Sequence, residues 1–297
     1  MYGDYAKTCI EAASEVSVTY ADARFVNYRD RLIHLEHGSL QTRNSHDASF
    51  SVRVIFNGAW GFCGSSVISR DSCRRVAERA VKIAKAATPV KKRVILSPTP
   101  TVNQSYHNEF TKHPLDTPIS EITDILSTSV DILKDQSQQI TSARASMQGY
   151  EVEKYIETLE GSKVSQTIVG CGALLQGSAL VNGEIQIRSY PQSVGIGLNT
   201  KGFECVDEID LPGNAPRIGK EVLQLTEAKN CPSDQTSLIM SDDVLATQIH
   251  ETAGHLTELD RALDTEWDWA GSTFLTPEKL DKLQFGTGHV NIVADAT

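Results

Sequence analysis

The stretch ATQIHETAGHLTELDRAL, residues 246–263, places His250, Glu251 and His255 within six positions. Imidazoles bind transition metals, and a carboxylate beside them can take a proton from water. In the common zinc-peptidase motif two histidines four apart lie about 40° from each other around a helix and grip one ion. Here they are five positions apart, which turns them about 140° from each other on a regular helix. They can share an ion only where the turn is distorted, and a π-bulge absorbs one extra residue in this way. Gly254 fits that reading, because it costs a straight helix about 1 kcal/mol relative to alanine and suits a bent one. With 8 histidines in 297 residues, a chance H-E-x-x-x-H arises in roughly one or two chains per hundred. Spacing alone therefore leaves both a zinc site and an ordinary helix with two imidazoles open.

The elements that must position this segment form an α+β chain with room for about two compact domains. Residues 1–90 read as an N-terminal α+β domain with an antiparallel sheet and helices. It opens with a short helix at residues 5–16. SVTYADARFVNYR and RLIHLEHGSLQT read as strands, with His37-Gly38 as a turn, and SFSVRVIFNGAWGFCGSS as a hairpin around Asn57-Gly58. Trp60 and Phe62 are expected in its core. SRDSCRRVAERAVKIAKAA is a helix capped by Ser69 or Asp71. Residues 91–118, rich in Pro and Thr, read as a linker. Residues 119–215 form a β-rich middle domain: a helix, SEITDILSTSVDILKDQ, then short alternating strands that include a second Asn-Gly hairpin in GSALVNGEIQIRSY. Residues 216–297 open a C-terminal domain. There APRIGKEVLQLTEAK is a helix with Pro216 near its start. TSLIM is a strand feeding the motif helix, which Ser241 caps with Asp242 and Asp243 in its first turn. TGHVNIVADAT alternates like a strand with no closing helix, so this last domain reads as incomplete.

Composition narrows the function. Apolar residues make up 40% and charged residues 22%, ordinary for a globular protein. A net charge of -10 and a pI near 5.3, with no Lys/Arg-rich run, argue against nucleic acid as a partner. Asp4 and Glu11 stand where a signal peptide needs a basic start and an apolar core, and no apolar run reaches membrane-spanning length. The expectation is a cytoplasmic protein with no membrane partner. Six scattered cysteines without a C-x-x-C pair fit reduced thiols, mostly buried.

HETAGHLTELD resembles the H-E-A-x-G-H-x-x-E-x-D signature of the TldD/PmbA family of modulator-of-gyrase peptidases. His250, Glu251, Gly254, His255, Glu258 and Asp260 fall on matching positions. Thr252 replaces the usual alanine, and Leu256 and Leu259 stand where glycines are often found. GAWGFCGSS followed by a basic Ala-rich helix is similar to the N-terminal domain of that family, and the order of elements resembles it along the whole chain. The resemblance implies a zinc metallopeptidase that cleaves peptides or unfolded proteins inside a dimer cavity. The dimer would be a homodimer or a heterodimer with a PmbA-like subunit. It implies His250 and His255 as zinc ligands and Glu251 as general base, with a third ligand, a cysteine, from a later segment. None of the six cysteines follows the motif.

Glu258 and Asp260 could orient an imidazole from behind, or stand as solvated helix-face carboxylates with Arg261 exposed beside them. His289 reads as a loop or strand residue. His34 and His37, flanking Glu36, read as surface residues, and Trp267 and Trp269 as core or groove residues. Two rivals remain: a catalytically silent scaffold or peptide-binding partner subunit, and an unrelated hydrolase with Asp260 or His289 as third ligand. The intact H-E-x-x-x-H favours the enzyme.

Overall fold

The computed structural model describes residues 2–89, 93–192, 195–265 and 271–294. It divides into two compact units, Met1–Lys229 and Asn230–Thr297. The first is built on one seven-stranded sheet of order β3-β2-β1-β5-β6-β4, with β7 also paired to β6. Its strands are β1 (Tyr20–Glu36), β2 (Ser39–Phe56), β3 (Ala59–Ser65), β4 (Asn103–His107), β5 (Ile140–Thr158), β6 (Lys163–Val181) and β7 (Glu184–Tyr190). All pairings are antiparallel except β4 with β6. Three tight turns join the hairpins at His37-Gly38, Asn57-Gly58 and Asn182-Gly183, each pair with positive φ, as two-residue hairpin turns require.

Helices α1 (Gly3–Ser14) and α2 (Arg70–Ala87) cover Phe25, Phe50, Val52 and Val54. Helices α3 (Ile119–Lys134) and α5 (Leu211–Glu227) cover Ile33, Leu35, Ala145, Met147 and Leu175. Phe25, Ile33 and Leu35 are all odd-numbered on β1, so both helix pairs lie on one face of the same sheet. The segments expected as first and middle domains thus share this sheet. The segment read as a linker supplies β4.

The strands are longer than the sequence pattern suggests. Between the two cores the inward positions of β1 are polar: Asn27, Arg29 and Arg31. Their partners are also on the inner face. Asn27 donates to Glu153 at 2.8 Å, Arg29 to Glu151, and Arg31 to Asn44 at 3.0 Å and to the Thr117 carbonyl at 3.0 Å. Alternation of hydrophobicity therefore fails in mid-strand while the backbone ladder continues. The register also corrects the expectation for Phe62. Gly61 and Cys63 face α2, so Phe62 points to the other face and is 59% exposed. Trp60 shares that outer face, edge-on to Tyr20 with the Arg53 guanidinium above it.

Ser69 caps α2 as expected, accepting from the Ser72 N–H at 3.2 Å. Helix α5 begins at Leu211, where Asp210 accepts from the Gly213 N–H at 3.0 Å. Pro216 lies inside the helix. Because Ile218 and Val222 join the core beside α3, the unit ends at Lys229 rather than at 215. In the second unit neither TSLIM nor residues 287–294 form a strand. Leu238 and Ile239 are largely exposed, and a lone extended segment without a pairing neighbour does not make a sheet. Ser241 has the extended backbone of a cap but makes no side-chain capping bond to α6 (Asp242–Ile249). Trp267 and Trp269 lie outside the described residues. No described helix is long and apolar enough to cross a membrane.

Glu204 opens α4 (Glu204–Ile209) and ties it to the segment before α3. Its carboxylate accepts from the Gly202 N–H at 2.9 Å, the Thr111 hydroxyl at 2.9 Å and the Lys112 N–H at 3.2 Å. Partial burial pushes its carboxyl up, but these donors and its own N–H outweigh that and hold it down at about 2. An unfolded-state value near 4.5 means that the stabilisation is complete above that pH and is lost as pH falls toward 2. Glu204→Gln should therefore cost about 1 kcal/mol at pH 7, a figure kept low because the side chain is half-exposed. In urea titrations at pH 7 and pH 3, the gap between wild type and variant should narrow at the lower pH. A gap that stays constant would exclude an ionised Glu204 as the clamp.

Candidate metal centre

Helix α6 ends at Ile249, where the His250 N–H still bonds back to the carbonyls of Ala246 and Thr247. The next turn, His250–Gly254, is π-helical: the His255 N–H reaches the His250 carbonyl, five residues back rather than four. A tighter 3-10 turn, His255–Thr257, follows, and α7 (Leu259–Ala262) continues the chain. Hydroxyls secure the irregular backbone. Thr252 donates to the Gln248 carbonyl at 2.5 Å and Thr257 to the Ala253 carbonyl at 2.9 Å.

The wider turn returns His255 to the side of His250. The two rings meet edge to face with centroids 4.4 Å apart. One ligand-type atom from each of His250, Glu251 and His255 lies within 4.8 Å of the others, with His250 and Glu251 exposed and His255 half-buried. Gly254 has ordinary helical φ and ψ, and a Cβ there would meet only the Ile249 carbonyl oxygen at 3.8 Å. Within this chain the bend is held by the five-residue hydrogen bond and does not need the glycine.

Glu258 stands behind His255, its Oε1 2.5 Å from Nδ1. Its other oxygen accepts from the Arg261 Nε at 2.7 Å. The bond to His255 first, then that to Arg261, holds the Glu258 carboxyl below the usual range. A carboxylate accepting at Nδ1 fixes the proton there and leaves Nε2 with a free lone pair. That Nε2 lies 3.9 Å from a Glu251 oxygen. Two imidazole nitrogens, with a carboxylate beside them to take a proton from bound water, suit a borderline divalent ion such as zinc. By this test the residues fit the metal.

Not every expected residue converges here. The Asp260 carbonyl accepts from the Thr265 N–H at 2.9 Å and its carboxylate faces the Thr265 hydroxyl at 3.4 Å, so it closes the end of α7 instead of touching a histidine. His289 is exposed, its N–H bonded to the Thr287 hydroxyl. Arg261, read from sequence as exposed, has a side chain only 19% accessible because it holds Glu258. The i,i+3 spacing of Glu258 and Arg261 was the available signal. Away from the motif, His34 is half-buried and bonded to the Ser146 hydroxyl at 2.7 Å, while His37 occupies its turn.

Known proteins share both the fold and part of the sequence. Residues 21–84 match the domain described as PmbA/TldA metallopeptidase domain 1. A metalloprotease of Methanocaldococcus jannaschii is 26% identical over 291 residues, covering 97% of this chain and 60% of that protein. One from Methanothermobacter thermautotrophicus is 27% identical over 251 residues, covering 84% and 52%. The chain thus spans little more than half the length of these relatives. Among solved structures, a putative modulator of DNA gyrase from Thermotoga maritima superposes with a TM-score of 0.58 at 14% identity, over 79% of this chain and 50% of that one. TldE from Thermococcus kodakarensis gives 0.51 at 14% identity, over 73% and 47%. Residues 21–84 thus match the first domain of the PmbA/TldA metallopeptidases, and the chain is similar along most of its length to proteins named metalloproteases.

If Glu258 fixes the His255 tautomer, nitrogen NMR on labelled, metal-free chain should show the Nδ1-protonated form as the main neutral tautomer. Glu258→Gln should shift the ratio severalfold toward protonation at Nε2. An unchanged ratio in the variant would show that the carboxylate does not orient the ring.

Proposed function

We propose that the chain carries the zinc-binding segment of a peptidase acting on peptides or unfolded protein, with His250 and His255 as ligands and Glu251 as general base. The observation that supports it is the π turn, which gathers the three side chains that a regular helix would splay. Zinc, when bound, supplies Lewis-acid polarisation of the scissile carbonyl and of water. Glu251, next in chain to His250, would accept a proton from the attacking water and return it to the leaving amine. Its exposure leaves it open to a substrate. Glu258 keeps the His255 Nε2 lone pair available, and Arg261 keeps Glu258 in place. In this reading Asp260 shapes the chain beyond the ligands and does not itself orient one. The named metalloprotease relatives support the peptidase class. Pairing with a second copy or with a PmbA-like subunit is part of the proposal. The third ligand is expected to be a cysteine from outside the motif.

Elemental analysis after dialysis against zinc should give about one zinc per chain, lost in His255→Ala. Glu251→Gln separates the roles of that residue. As a base, its loss should leave zinc in place and lower cleavage of a casein-derived peptide pool by about 10²–10⁴-fold. Loss of zinc in Glu251→Gln would make it a ligand instead. A wild-type chain that binds peptides without zinc and without cleaving them would replace the enzyme by the silent-partner reading.

A further inference from the structure

Strand β3 ends the sheet. Strand β2 takes one of its sides, and among the described residues no strand takes the other. Natural edge strands are usually blunted by charge, proline or a bulge, yet β3 reads AWGFCGS and pairs with β2 without interruption.

Helix α2 runs alongside β3 in the opposite direction. At one end the Ser72 Oγ is 3.4 Å from the Ser65 Oγ. At the other, a Cβ on Gly61 would stand 2.0 Å from the Ala80 carbonyl oxygen, so only glycine lets the helix lie this close. Between helix and strand opens a groove of about 700 Å³, lined by Cys63, Gly64 and Ser65 from β3 and by Arg75, Arg79 and Lys82 from α2. Glu78 is the one acid on it.

These three cations are exposed and, among the described residues, have no ion-pair or hydrogen-bond partner. Their neighbours Arg70 and Arg74 are paired, with Asp4 and Glu15. In a chain of net charge -10, the row runs against the overall sign. Its spacings of four and three helical residues advance about 6 and 4.5 Å. Side chains on one face of a strand recur about every 6.7 Å, so a strand laid beside β3 can bring successive carboxylates to successive cations. On the opposite face of the sheet Phe62 is exposed beside the same edge.

We infer that the free edge of β3 docks an extended acidic peptide. The peptide pairs with β3 through its main chain, turns alternate carboxylates toward Arg75, Arg79 and Lys82, and lays the intervening apolar side chains beside Phe62. This is strand addition with charge selecting the occupant. It goes beyond the peptidase reading and requires neither metal nor Glu251, so either can fail alone.

The test is fluorescence anisotropy on the full chain without added metal, using a labelled ten-residue peptide of alternating Glu and Val. Saturable binding is expected. It should weaken about tenfold or more for the Gln-for-Glu peptide, for the Arg75→Gln/Arg79→Gln variant, and in 0.5 M salt. Methylation of alternate peptide amides should weaken it as strongly, because it removes the main-chain donors. The peptide should also slow alkylation of Cys63, read by mass spectrometry at that thiol. Circular dichroism checks that the variant folds. Equal affinity for the Gln peptide or the variant overturns the inference. Unchanged binding of the methylated peptide shows diffuse charge attraction and also overturns it. So does unaltered Cys63 alkylation, or a dimer in sedimentation that shields Cys63, since a second copy would then own the edge.

Discussion

The first unit depends on one strand having both of its edges filled along nearly its whole length. β1 pairs residue for residue with β2 from Tyr20 to Glu36 and with β5 from Asp22 to Glu36. A backbone N–H or C=O left unpaired in the interior costs more than a hydrogen bond returns. A central strand flanked in this way therefore fixes the register of its neighbours, and each slip by one residue would turn Phe25, Ile33 and Leu35 away from the helices. Two helix pairs far apart in sequence thereby come to rest on one face.

The same ladder explains why a row of charge survives in the middle of the sheet. Two hydrophobic cores leave a gap between them, and Arg29 and Glu151, paired opposite each other on β1 and β5, fill it. His113 lies 2.9 Å from the other Glu151 oxygen, which anchors the segment ahead of α3 over the gap. Burial pushes the Glu151 carboxyl up, yet the bonds from Arg29 and His113 outweigh it and keep it low. Partners supplied across strands let the sheet continue where apolar packing stops.

What could be read from the sequence follows from how local each signal is. His37-Gly38, Asn57-Gly58 and Asn182-Gly183 were legible as turns because a two-residue loop states its own φ requirement. Helix α2 was legible through its Ser69 cap and its apolar stripe. The lengths of β1 and β5 were not, because Asn27 and Arg29 on β1 are satisfied by Glu153 and Glu151 on β5, over a hundred positions away. Phe62 was misplaced for a related reason: its face is set by pairing with β2 and by Gly61 under α2, neither visible in a hydrophobic pattern. β4 was hidden because five exposed polar residues become a strand only against β6.

The candidate metal centre was legible to the degree that it is contiguous. A five-residue spacing is a geometric contradiction on a regular helix, and only a locally widened turn resolves it. The structure resolves it with a π turn closed by the hydrogen bond from the His255 N–H to the His250 carbonyl and then tightens the next turn, so the surplus residue is absorbed between two regular segments. The glycine read as the mark of the bend does not produce it, since its backbone stays in the ordinary helical region. The orientation of His255 was less visible. Sequence offered Glu258 and Asp260 as equal candidates, and the break after the 3-10 turn separates them. Glu258, at the break with extended ψ, swings its carboxylate back to the imidazole, while Asp260 is carried into α7 and closes its far end. A change of backbone conformation at one residue thus decides which of two nearby acids faces the histidine.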